Sequence, residues 1–137
     1  MRKIVSLILL LQLFGSCKIN QTKNGLKTGK WITEETFFNT VSKSIGKYKK
    51  GEKKGTWNYS YKDRVTLTEK YKKDICFIIE YHNTGKIRAT GQKKKYKDSI
   101  KSEWLPTGEW KFYDSEGVPL GTKIYDKGIP IQETYTE

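Results

Sequence analysis

The chain has 137 residues, with 27 Lys and Arg against 15 Asp and Glu, one histidine, two cysteines and a formal charge of +12. That length suits one small domain with a thin core, and a single histidine leaves no basis for a zinc centre of three or four protein ligands. Beyond residue 16 the only arginines are Arg64 and Arg88. The positive charge is therefore lysine, a hydrated point charge, and not the planar fork that reads bases and phosphates, so no specific nucleic acid is expected as a partner.

Met1-Arg2-Lys3 is followed by an apolar run from Ile4 to Phe14 and then by Gly15-Ser16-Cys17. A charged start, a short apolar stretch and small residues at a cut site make a secretory leader, too short to span a membrane as a helix. The motif Leu13-Phe14-Gly15-Ser16-Cys17 resembles bacterial lipoprotein signals, with Phe14 where an aliphatic residue is usual. The resemblance implies cleavage after residue 16 and lipid on Cys17, hence a membrane as partner and an address in the cell envelope. Lys18 after the cysteine, by resemblance to sorting rules in Gram-negative bacteria, leans toward the outer membrane. The alternative is simple secretion, with Cys17 incidental. Removing residues 1–16 lowers the charge to +10 and leaves 121 residues. Cys76 then lacks a partner, which excludes a disulfide; set among Ile75, Phe77, Ile78 and Ile79, it reads as a buried, inert thiol. Residues 17–23 read as a tether and 24–137 as the folded domain.

A recurring phrase organises that domain. Gly29-Lys30-Trp31, Gly55-Thr56-Trp57 and Gly108-Glu109-Trp110 are each Gly-x-Trp; Trp31 to Trp57 is 26 residues and Trp57 to Trp110 is 53, about two periods. A degenerate copy is expected near residue 83, with Phe77 or Tyr81 as its aromatic. A second phrase, Tyr-x-x-Gly, interleaves at Tyr48–Gly51 and Tyr125–Gly128, with Tyr71–Asp74 as a variant. A third is Tyr81-His-Asn-Thr-Gly85 and Tyr113-Asp-Ser-Glu-Gly117. Repetition at this period marks a stacked or arrayed architecture.

The phrases read as strand, turn, strand. Trp57, Tyr59 and Tyr61 alternate with polar residues, as do Leu67, Glu69 and Tyr71, then Phe77, Ile79 and Tyr81. Turn residues break the runs at 62–64, 83–85, 115–117 and 126–128. Short turns join neighbours in sequence order. The fold class is therefore all-β: an antiparallel meander of repeated hairpins in one elongated single-layer sheet, without substantial helix once the leader is removed. Tryptophans are expected on one face, with Lys, Thr, Asn and Ser on the other. Residues 33–44 are ambiguous, though Thr36, Thr40 and Val41 argue against helix. Residues 92–103 read as a polar hairpin extension or a loose loop.

The phrases of residues 24–131 resemble the bacterial variant of the MORN repeat; the best matches are Gly46–Trp57 and Gly108–Gly117. The resemblance implies a β-meander without a catalytic centre or cofactor, protein or membrane binding, and, for some members, the role of an antitoxin component. An export leader fits poorly with a cytoplasmic antitoxin.

No nucleophile, base or metal cluster stands out, and an enzyme is not expected. His82 lies in a turn phrase and reads as solvated. The carboxylates fall mostly in turns and on polar strand positions. Trp31, Trp57 and Trp110, with Tyr48, Tyr71 and Tyr125, recur at the repeat period and read as structural. Trp104 breaks that phase and is the best single candidate for an exposed contact. The expected function is non-catalytic protein binding or scaffolding at a membrane. The alternatives are binding of an anionic glycan or lipid by the lysines, or a toxin–antitoxin component.

Overall fold

The computed structural model describes residues 18–137; residues 1–17, with the expected leader and Cys17, lie outside the described residues. The chain folds as ten strands: β1 (Gln21–Lys23), β2 (Leu26–Phe37), β3 (Thr40–Lys49), β4 (Glu52–Tyr61), β5 (Arg64–Lys72), β6 (Ile75–Tyr81), β7 (Ile87–Lys97), β8 (Ser102–Tyr113), β9 (Pro119–Asp126) and β10 (Ile129–Tyr135). They form one open sheet in sequence order, every neighbouring pair antiparallel. Among the described residues there is no helix.

The turns explain why the chain reverses so often. Asn24-Gly25, Phe38-Asn39, Lys50-Gly51, Lys62-Asp63 and Lys127-Gly128 each have positive φ at both central residues. Those two-residue turns carry the twist that paired strands require. The ambiguous stretch 33–44 is the end of β2, the Phe38-Asn39 turn and the start of β3. Residues 21–23, expected as tether, pair with Leu26–Thr28 as β1. Asn20 extends that edge: its side chain accepts from Ile32 N–H and donates to Ile32 O, each at 2.8 Å.

A single layer must bury its apolar residues on one face, and the Gly-x-Trp phrase shows how. In β4, residues Gly55 to Trp57 bulge opposite one β3 residue, Gly46. Trp57 lies flat across that glycine, and its indole N–H donates to Lys47 O at 3.1 Å. The same unit recurs in β8: Gly108 to Trp110 bulge opposite Gly91 of β7, and the Trp110 indole N–H donates to Gln92 O at 3.2 Å. Trp31 donates likewise to Gln21 O at 3.2 Å, with Asn20 in the position of the covered glycine. A side chain on Gly46 or Gly91 would occupy the space of the indole ring, so glycine is required there by close approach.

Trp57 and Trp110 are buried and Trp31 is half-buried, with Cys76, Ile78 and Ala89 completing the buried apolar set. The degenerate copy is filled differently from expectation. Ile78, paired with Glu69 on one side and Gly91 on the other, takes the buried position on β6. Phe77 alternates to the opposite face and is exposed there, so that face is not wholly polar. Tyrosines of the second phrase clamp the tryptophans edge-on: Tyr48 lies 5.6 Å from Trp31 and 4.9 Å from Trp57, and Tyr125 lies 6.0 Å from Trp110. Such pairs add about 0.5–1.5 kcal/mol each beyond area burial.

A candidate binding cleft at the hairpin ends

The hairpins are not of equal length, and that inequality makes a cleft. Trp57 follows its covered glycine by eleven residues, but Trp110 follows Gly91 by nineteen. The extra eight residues lengthen the β7–β8 hairpin, whose strands stay paired as far as Lys97 and Ser102. Residues 92–103 are therefore the hairpin extension and not the loose loop. Next to it, β5–β6 turns back early, at Lys73-Asp74, with Lys72 paired to Ile75. The β3–β4 hairpin on the far side runs on to Lys50-Gly51. A short hairpin between two longer ones leaves a notch of about 400 Å³, within the size range of small-ligand sites.

The floor of the notch is Tyr71 with the Lys73-Asp74 turn; one wall is Glu52 to Lys54, and the other includes Lys95, Lys97 and Trp104. Tyr48 reaches the same space from β3. Trp104, expected to be exposed, is half-buried because it packs against the core and meets Tyr71 edge-on at 5.2 Å, which makes its ring part of the wall. Lys95 spans the notch: its ammonium binds Glu52 at 2.5 Å although its side chain is only 12% exposed, and its backbone N–H donates to Asp74 O at 2.8 Å. That ion pair holds the Glu52 carboxyl below the usual carboxylate range, first through the hydrogen bond and then through charge. Five lysines and two carboxylates line the space, an excess of three positive charges. Lys73 and Lys97 are exposed and have no ion-pair partner among the described residues.

Beneath the notch lies a buried polar cluster that sequence reasoning missed. Glu69 is 7% exposed and sits in the tryptophan row between Trp57 and Ile78. Its Oε2 accepts from the hydroxyls of Tyr59 and Tyr71, both at 2.7 Å, and faces Lys53 Nζ at 3.6 Å. Lys53 donates to Tyr59 OH at 2.5 Å and covers the Trp57 ring at 4.9 Å. Burial, then the bond to Glu69, raises both tyrosine hydroxyls far above the ordinary phenol range. Burial pushes the Cys76 thiol up to about 11, with the Glu69 charge adding to it. Such a thiol is inert at neutral pH, and a buried carboxylate held by two hydroxyl donors and an ion pair has a structural role. The visible hint was phase: Glu69 shares the inward side of β5 with Leu67 and Tyr71.

Of the residues singled out from sequence, the structure brings Tyr48, Tyr71 and Trp104 together at the notch. Trp31, Trp57, Trp110 and Tyr125 lie in the aromatic row that supports it. His82 is half-buried instead of solvated; its Nε2 lies 2.9 Å from Tyr113 O and joins two neighbouring turns. Cys17 lies outside the described residues. Among the described residues, no three His, Cys, Asp or Glu side chains are grouped to hold a metal. No helix among them is long and apolar enough to cross a membrane.

Comparisons of the chain with protein-family models, with curated proteins and with solved structures find no match in any of the three. The likeness to MORN-variant repeats rests on the chain's own phrases.

Proposed function

We propose that the protein is a non-catalytic binding or scaffold module of the bacterial envelope, built of MORN-like repeats and held at a membrane by lipid on Cys17. The observation that carries the binding role is the notch: the step from the early β5–β6 turn to the lengthened β7–β8 hairpin places Tyr71, Trp104 and unpaired lysines around a shared space. The aromatic row supports it, because a fixed floor lowers the entropy lost when a partner docks. The buried cluster at Glu69 argues for structure over chemistry, since its tyrosines donate to the carboxylate and are not poised as bases. The anchor has support in the residues before Cys17 and in the short reach that follows it: only two residues separate Cys17 from Asn20, which is pinned to β2.

The test has two parts. Cells fed a labelled fatty acid should label the wild type and not Cys17→Ser. Crosslinking in intact cells should then capture a partner with the wild type and lose it with Trp104→Ala. Absence of lipid on the wild type overturns the anchor; capture that survives Trp104→Ala overturns the notch as the recognition surface. A second reading, an anionic glycan or lipid as the partner, is favoured by the positive excess of the notch.

A further inference from the structure

From the chemistry of the notch we infer that its ligand is an acidic glycan, a sugar ring laid against Trp104 and Tyr71 with its carboxylate or sulfate held by Lys73 and Lys97. This rests on the binding-module reading above and names the class of ligand.

Three observations narrow the class. The first is charge. Lys53 is engaged by Glu69, and Lys95 and Lys54 are both engaged by Glu52, whereas Lys73 on the floor turn and Lys97 on the adjoining β7 wall stand exposed and unpaired. Two free ammonium groups bordering one notch fit an anion held at its margin. The second is the type of cation. Neither Arg64 nor Arg88 lines the space, so no planar fork is present to select phosphodiesters or bases. The third is ring geometry. Tyr71 and Trp104 meet at 82°, edge to face, so no parallel slot exists between them for a nucleobase. An aromatic wall beside point charges suits a saturated ring that offers C–H groups on one side and an anion at its margin. An acyl chain would need an apolar continuation, but the notch is bounded by lysines, Glu52 and Asp74.

The experiment uses the full-length chain in mild detergent and follows its retardation in gels containing polygalacturonate, dextran sulfate or neutral dextran. A single-stranded oligothymidine and phosphatidylglycerol vesicles are run as competitors, with the detergent held below the concentration that dissolves the vesicles. At about 0.15 M salt, where the screening length is about 8 Å, retardation is expected with one or both acidic polysaccharides and not with neutral dextran. Lys73→Gln with Lys97→Gln should weaken it at least tenfold. The matched control Lys23→Gln with Lys62→Gln removes the same charge from exposed sites away from the notch and should change it less than twofold. Trp104→Phe keeps a ring and should retain part of the binding, while Trp104→Leu should lose it, each checked for an unchanged far-UV spectrum. Equal loss in the two lysine pairs overturns the site in favour of diffuse charge. Competition by oligothymidine or by vesicles, stronger than between the polysaccharides, overturns the ligand class but leaves a binding module. No retardation by either acidic polysaccharide overturns the inference alone, provided that crosslinking in cells still recovers a partner lost on Trp104→Ala. Failure of both overturns the binding module itself.

Discussion

Substituting Gly46 by alanine tests how the sheet holds its core. A Cβ built on Gly46 would lie 2.1 Å from the Trp57 ring. Carbon atoms in contact sit about 3.5–4.0 Å apart, so the ring must retreat by about 1.5 Å or leave. Retreat is blocked on the other side by Tyr48, edge-on at 4.9 Å, and it stretches the indole bond to Lys47 O. Trp57 is 2% exposed. A buried tryptophan covers about 150–250 Å², which at about 25 cal/mol per Å² is about 4–6 kcal/mol if the ring is expelled. Loss of the hydrogen bond adds about 1 kcal/mol, and partial repacking recovers some of the total. The expected loss is about 3–5 kcal/mol, a large share of the 5–15 kcal/mol that holds a typical domain. The strand preference of alanine over glycine has the opposite sign and amounts to only about 0.5–1 kcal/mol. Urea unfolding followed by far-UV circular dichroism reads the difference. In a Trp57→Ala background the same substitution should be neutral or slightly stabilising, because the clash has gone. A single Gly46→Ala variant within 1 kcal/mol of wild type would refute the reasoning, and Gly91→Ala against Trp110 should repeat the result.

Two further outcomes follow from the buried cluster. Glu69→Leu removes the acceptor of two tyrosine hydroxyls and the partner of Lys53, and should cost about 3 kcal/mol in urea unfolding; a neutral result would show that water reaches those hydroxyls. Stability should also fall as pH rises above about 9. The Cys76 thiol, raised to about 11 by burial and then by Glu69, binds its proton more tightly folded than unfolded, so its contribution is complete below the unfolded value and lost through the folded one. Tyr59 and Tyr71 are raised by the same causes and act in the same direction at higher pH. Melting temperatures measured from pH 8 to 11 should decline, and Cys76→Ala should flatten the first part of that decline; a level profile would contradict the burial of the thiol.

The fold was legible because its determinants are local. Alternation over 57–61 and 65–71, turn residues at regular intervals and a repeated Gly-x-Trp phrase depend on neighbours within a few residues, and each reads directly as a hairpin. What lay hidden depends on residues brought together across strands. Gly46 and Gly91 look like ordinary strand glycines until Trp57 and Trp110 are seen to lie on them. Glu69 shares the phase of Leu67 and Tyr71, but the two hydroxyls and the ammonium that hold it there come together only when β4 pairs with β5. Ile78 replaced the expected aromatic because covering Gly91 already falls to Trp110 of the next strand, leaving β6 room for a smaller side chain. The notch could not be read from sequence either: spacing showed a stretched repeat, but not that its neighbour is short.

That combination bears on where a repeat sheet can carry specificity. In a strictly regular meander every hairpin ends flush, every face residue has an equivalent one period away, and no position is distinguished from its copies. Here eight added residues in one hairpin, beside a hairpin that turns early, break that equivalence at the notch. The side chains that gather there are the ones the repeat does not demand: Trp104, Lys95 and Lys97 all belong to the added length. Their fixed framework is the part it does demand, Tyr48 and Tyr71 on the aromatic row. If the notch is the recognition surface, trimming the β7–β8 hairpin by eight residues, to the length of β3–β4, should leave Trp110 over Gly91 and the fold intact while removing binding. Loss of folding on that trim would mean instead that the Lys95–Glu52 bridge is needed to hold the neighbouring hairpins together, and that the added length serves stability.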